Sequence, residues 1–227
     1  MNSQSKKTYG ATVLHPVVFV GAILIGLVFW SAVPEAAERV TVKRVSDGDT
    51  VQLADGRAVR YIGINAPEID HARNAAQPLG FEARAYNAQL VEGRTVRLEL
   101  DAERLDDYGR TLAYVFLPDG TLVNERLLQS GLAFCLYKLP NVKYESRLLA
   151  AQRTAMNAGR GLWQHRREKE GRYVGNRNSR RFHLASCPEA KRISRRNRVV
   201  YPTRWEAFWA GYSPSRESHA EFFNPVD

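Results

Sequence analysis

Asp49, Arg60, Asn65, Glu68 and Arg110 sit in three short strings, SDGDT, RYIGINAPE and DDYGR. Carboxylates alone would suggest a cation site, and arginines alone a basic face. Both kinds together, with one Glu to spare, suit phosphodiester hydrolysis. A metal ion and two guanidinium groups neutralise a pentavalent phosphorus oxyanion, and a Glu outside the metal shell takes a proton from water. The residue types therefore point to a nuclease in which Arg60, Glu68 and Arg110 do the chemistry and Asp49 and Asn65 hold the metal.

Each residue also has a plainer reading. Asp47-Gly48-Asp49 makes a good polar turn, although a carboxylate at a strand end is well placed for a hard cation. Period-two alternation puts Arg60 on the face of Ile62 and Ile64, where a guanidinium must find an anion or reach water. It is either paired with a structural Asp or clamps a phosphate. The same alternation sends Asn65 to the opposite face. Glu68 follows Pro67, which stiffens the loop, and it serves either as general base or as a solvated surface carboxylate. Arg110 follows a turn that lifts it from its strand, towards a phosphate or into a surface ion pair. Tyr108 and Tyr137 are candidates for stacking on a base, with core packing an equal reading for Tyr108.

These residues need a scaffold of short strands. RVTVKRV, TVQL and AVRYIGI are β-rich, and Asp55-Gly56 between the last two is a hairpin signal. RTVRLEL and RTLAYVFL follow, the latter closed by Pro118-Asp119-Gly120. Helical stretches are LGFEARAYNAQLVEG, LVNERLLQSG and NVKYESRLLAAQRTAMNAG, with stops at Gly93, Gly131 and Gly159 and with Leu148, Leu149, Gln152 and Met156 near one face of the third. A short LAFCLY segment precedes that last helix. The expected fold class is α+β, a small five-stranded β-barrel with three helices.

The order DGDT, R-x4-N-A-P-E, D-x-Y-G-R and V-N-E-x-L-L-x-x-G-L-A, ending at G-L-W, resembles the staphylococcal nuclease (thermonuclease) family from about Val40 to Trp163. The resemblance implies an OB-fold barrel, one calcium ion, endonucleolytic cleavage of DNA and RNA, and products with 3′-phosphates. It also implies that Thr50 adds a backbone carbonyl to the ion and that Tyr137 contacts the nucleotide. Two positions depart from the pattern: Asn65 stands where the family has Asp, and Leu139 where it has a second Tyr. Losing one negative charge at Asn65 is expected to weaken calcium binding.

The formal charge of +9 favours polyanionic partners, nucleic acid or an anionic membrane surface. It is uneven, since from Arg166 onward there are 14 Lys plus Arg against 7 Asp plus Glu. Lys6 and Lys7 precede an uncharged run over 11–33, with VVFVGAILIGLVFW at its centre. That run reads as a signal anchor, with a cleaved signal peptide or a buried helix as alternatives. Residues 1–10 then stay in the cytoplasm, 34–38 form a linker, and the domain over 39–165 lies outside the cytoplasm, membrane-anchored, or secreted or periplasmic if the signal is cut. Cys135 and Cys187 are too few to define a disulfide framework, and their pairing is left open.

Residues 166–227 read as a small basic αβ module with Trp205, Phe208 and Trp209 as core. The FH-x3-C and A-G-Y-x-P pattern resembles the Ada-type zinc modules, but Pro214-Ser215-Arg216-Glu217-Ser218 stands where P-C-x-x-C would be, so zinc is not expected at His183 and Cys187. Three function classes compete: a monomeric calcium-dependent nuclease, a non-catalytic OB-fold nucleic-acid binder of the cell envelope, and an envelope interaction module. Arg60, Glu68 and Arg110 standing together favour the first.

Overall fold

A computed structural model describes Met1 and residues 38–70, 72–73, 75–164 and 171–216. The apolar run over 11–33, and with it the expected membrane helix, lies outside the described residues. Among the described residues no helix is long and apolar enough to cross a membrane.

Among the described residues the first elements are β1 (Glu38–Asp47), β2 (Thr50–Leu53) and β3 (Ala58–Tyr61). Asp55-Gly56 turns β2 into β3, with Gly56 at φ 93°, a conformation that costs glycine little. The β-rich run 58–64 is not one strand. It stops at Tyr61, reverses at Gly63 with φ 79°, and resumes as the two-residue β4 (Ile64–Asn65). The backbone groups freed by this break are satisfied: Ile62 N–H donates to Ala113 O at 3.0 Å, and Ile62 O accepts from Asn124 Nδ2 at 2.8 Å. A small ribbon, β5 (Ile69–Asp70) with β6 (Ala75–Ala76), follows.

Next come α1 (Gly80–Val91), β7 (Thr95–Glu99), β8 (Thr111–Phe116), α2 (Val123–Gln129), β9 (Phe134–Cys135) and α3 (Glu145–Asn157). The barrel closes in the order β1-β2-β3-β8-β7, with β7 pairing back on β1. This is the five-stranded barrel expected, with β3 and β8 its parallel pair. Val42, Val51, Leu53, Val59, Leu98 and Val115 fill it, each taken almost wholly from water. Burial of one such side chain stabilises the fold by about 1.5–3 kcal/mol. In α1 the buried residues Ala83, Asn87 and Val91 recur every four positions and face β1. Asn87 is polar yet satisfied, accepting from the Tyr61 hydroxyl at 3.0 Å and donating to Asp47 O at 3.2 Å.

The basic segment forms β10 (Tyr173–Asn176), β11 (Arg181–Leu184), α4 (Pro188–Arg192), β12 (Arg198–Tyr201), α5 (Arg204–Trp209) and β13 (Ser213–Pro214). Its sheet runs β12-β10-β11-β13. Phe182, Phe208 and Tyr212 join Phe134, Met156 and Trp163 in one aromatic-rich cluster, so this segment and α3 share a core. Edge-to-face contacts at 5.0–5.6 Å link Phe208 to Trp163, Phe182 and Phe134. Gln152 of α3 joins the two parts, donating to Phe208 O at 2.7 Å and accepting from Cys135 N–H at 2.6 Å. Trp209 corrects an expectation: it is 36 % exposed, and Arg153 lies over its ring at 5.3 Å. Cys135 and Cys187 are both free thiols.

Candidate active site

Asp49 follows the turn between β1 and β2. Gly48 is required there because an added Cβ would lie 2.5 Å from Ala66 Cβ and 2.8 Å from Ala83 Cβ. The tight approach seats Asp49 inside the fold at 3 % exposure, against the loop carrying Asn65 and Ala66. Its Oδ2 accepts from Ala66 N–H at 2.6 Å and pairs with Arg60 Nη2 at 2.9 Å, while Oδ1 accepts from the Thr50 hydroxyl at 3.1 Å. Burial pushes the Asp49 carboxyl up to about 6, against the pull of Arg60 and with the help of Asp47.

Thr50 enters as support for Asp49 and not through its carbonyl. Tyr61 N–H donates to Asp49 O at 2.9 Å, which makes Thr50 and Arg60 the non-hydrogen-bonded pair of the β2–β3 ladder. Their side chains are adjacent, and the Thr50 carbonyl turns towards β1.

Arg60 is 8 % exposed, and its donors are used in full view of the strand break. Nη1 donates to Tyr61 O at 2.7 Å and Ile64 O at 2.9 Å. Nη2 donates to Asn65 Oδ1 at 2.8 Å and is ion-paired with Asp49 Oδ2. Asn65 therefore shares a side with Arg60. Simple alternation failed because the reversal at Gly63 resets the phase of the strand.

Glu68 stands at the mouth of the same cleft. Its main chain is tied to Gln77 in both directions at 2.9 Å, and its carboxylate accepts no hydrogen bond among the described residues. Glu68 is exposed, yet the partial desolvation of its carboxyl, then the Asp49 charge, raise it above the usual carboxylate range, opposed by Arg60 and Arg110. Arg110 is aimed by Asp106, which accepts from its N–H at 2.9 Å and its Nε at 2.7 Å. Gly109, at φ 76°, forms the turn that brings these two together. The terminal amino groups of Arg110 make no hydrogen bond among the described residues. Tyr108, 82 % exposed, lies 5.4 Å from the Arg110 guanidinium, which excludes core packing for it.

Arg60, Asn65, Glu68, Tyr108 and Arg110 line one cleft of about 580 Å³. Tyr137 does not line it: its ring is covered by the Arg180 guanidinium at 4.4 Å, and Arg180 is ion-paired with Glu145. Lys138, Arg181 and Arg216 do line it, and nothing in their local sequence announced this. Arg181 and Arg216 read as members of a basic tail, and only the docking of that tail on α3 brings them here.

A family model described as staphylococcal nuclease homologue matches residues 58–165. A thermonuclease of Staphylococcus hyicus is 39 % identical over 125 residues, which cover 54 % of this chain and 73 % of that protein. The chain belongs to the staphylococcal nuclease family. The thermonuclease of Staphylococcus intermedius is likewise 39 % identical, over 56 % of this chain and 77 % of its own length. The endonuclease YncB of Bacillus subtilis is 38 % identical over 61 % of this chain and 65 % of its own. The match to the family model stops short of the segment that carries Arg181 and Arg216.

The fit of a calcium ion rests on the oxygens beside Arg60. Asp49 Oδ2 and Asn65 Oδ1 both converge on Arg60 Nη2, so a cationic centre already bridges two hard oxygens. Among the described residues no three Asp, Glu, His or Cys side chains gather as a metal cage. Asp49 and Asn65 present hard oxygens of the kind a divalent cation takes, both of them engaged by Arg60 here, and water and substrate phosphate would complete the shell of such an ion. Asn65→Asp adds the missing charge and is expected to tighten calcium binding by calorimetry. An unchanged affinity would remove residue 65 from the metal shell.

Proposed function

We propose that this chain is a calcium-dependent endonuclease that cleaves DNA and RNA as a monomer. The coarser statement is firm: a member of this family with thermonuclease and endonuclease relatives is a phosphodiester-cleaving hydrolase. One observation carries the reading, a Glu68 carboxylate that accepts no hydrogen bond among the described residues and shares a cleft with two fixed guanidinium groups.

Asp49 and Asn65 would hold the calcium ion, whose charge would stabilise the phosphate oxygens as the transition state forms. Glu68 takes a proton from water as the water oxygen bonds to phosphorus. The bond from phosphorus to the 5′-oxygen breaks, leaving a 3′-phosphate and, after the departing oxygen takes a proton from solvent, a 5′-hydroxyl. Arg110, fixed through Nε by Asp106, offers its free amino groups to the phosphate oxygens as charge grows. Arg60, held rigidly by its backbone acceptors, contributes positive potential without reorganising. Tyr108, exposed beside Arg110, offers a face for a base.

The apolar run over 11–33 supports placement of the catalytic domain outside the cytoplasm, anchored or released. Single-stranded DNA should be degraded with calcium present and spared when a chelator is added. Binding without cleavage at millimolar calcium would favour the non-catalytic OB-fold binder.

A further inference from the structure

Five cationic side chains line the catalytic cleft: Arg60, Arg110, Lys138, Arg181 and Arg216. Three of them have a carboxylate partner, Arg60 in Asp49 at 2.9 Å, Arg110 in Asp106 at 2.7 Å and Lys138 in Glu103 at 3.4 Å. Arg181 and Arg216 have no carboxylate partner among the described residues. Among the described residues, the cleft cations without a carboxylate partner thus both come from the C-terminal segment.

We propose that Arg181 and Arg216 form a second phosphate subsite, holding a phosphodiester of the bound strand other than the one being cleaved. The proposal rests on the nuclease reading and adds to it the residues that favour long substrates.

The two arginines are presented by neighbouring strands. Arg181 opens β11 and is in register with Ser213 of β13, and Arg216 follows two residues beyond that strand. Ser215 N–H donates to Phe182 O at 2.9 Å, extending the pairing to the residue before Arg216. Arg181 Nη1 donates to Ser213 Oγ, which fixes the guanidinium, and its other side-chain donors make no hydrogen bond among the described residues. Burial alone pulls the Arg181 guanidinium below its ordinary value, with no anion opposing the effect. A guanidinium so placed gains from an incoming anion, and its planar fork matches two phosphate oxygens. Arg216 is exposed on the same wall and meets the strand from the solvent side.

The test uses the full chain and three substrates: a dinucleotide with one phosphodiester, a single-stranded octanucleotide, and the same octanucleotide with a 5′-phosphate. The wild type should prefer the octanucleotide with or without the terminal phosphate. Arg216→Gln should raise the octanucleotide KM several-fold with kcat retained, and Arg181→Gln with Arg216→Gln should raise it about tenfold. Binding measured in chelator should lose about 0.7 of salt slope for each phosphate contact removed. Arg216→Lys should recover most of the slope. Arg216 is exposed and makes no hydrogen bond or ion pair among the described residues, so its variant stays informative if Arg181→Gln fails to fold. An unchanged slope and substrate ratio in Arg216→Gln overturns the subsite, as does a loss confined to the 5′-phosphorylated octanucleotide. Failure of the wild type to cleave, with the slope change intact, would count against the nuclease reading and not against the subsite.

Discussion

Glu68→Gln is expected to lower kcat by roughly two or more orders of magnitude while leaving the melting temperature close to that of the wild type. The expectation follows from what Glu68 touches. Its main chain is anchored through Gln77, and its carboxylate has no hydrogen bond to lose among the described residues, so the amide should fit in the same place. What disappears is the ability to take a proton from water. The same group sets the acid limb of the pH profile. A general base works when deprotonated, so activity should rise with pH through the Glu68 pKa. Partial desolvation first, and then the Asp49 charge, displace that limb above the ordinary carboxylate value, while Arg60 and Arg110 restrain the displacement. Glu68→Gln should abolish this limb. A variant that keeps more than about a tenth of wild-type kcat would remove Glu68 from the role of base.

Arg60→Met is expected to cost stability as well as activity, about 3–5 kcal/mol in urea unfolding at neutral pH. Asp49 is nearly fully buried, and Arg60 is its ion-pair partner at 2.9 Å. Removing the guanidinium leaves a buried carboxylate facing Ala66 N–H and the Thr50 hydroxyl alone. Tyr61 O and Ile64 O lose their donor in the same step. The double variant Asp49→Asn with Arg60→Met should recover much of the loss, because the stranded charge is gone. A single variant that loses less than about 1 kcal/mol would mean that water reaches Asp49 and that the pair is not a closed one.

Much of this geometry was legible in the residue order. The barrel strands and the three helices fall where alternation, turn residues and glycine stops put them, because those signals are local. Arg60 could be oriented by strand alternation, and Glu68 and Arg110 by the proline and the turn beside them. Asn65 was misplaced because period two assumes an unbroken strand, and the break at Gly63 is stabilised from far away by Asn124. Thr50 was given a carbonyl to contribute, but which way a carbonyl points depends on ladder phase, and sequence does not print it. Tyr137 was placed in the nucleotide pocket by resemblance, whereas Arg180, outside the matched region, covers its ring. Arg181 and Arg216 were invisible as cleft residues since their position depends on long-range packing between α3 and a segment about 60 residues further on.

Gln152 gives the shared core a mechanical meaning. One amide group holds the β9 backbone with its oxygen and the end of α5 with its nitrogen. β9 in turn is laddered to β4, where Phe134 pairs with Asn65. The C-terminal segment is thus tied through one side chain to the strand pair that carries Asn65. The segment that carries Arg181 and Arg216 and the strand that carries Asn65 are therefore joined through α3 and one continuous core, so the two parts of the cleft wall are built as one body.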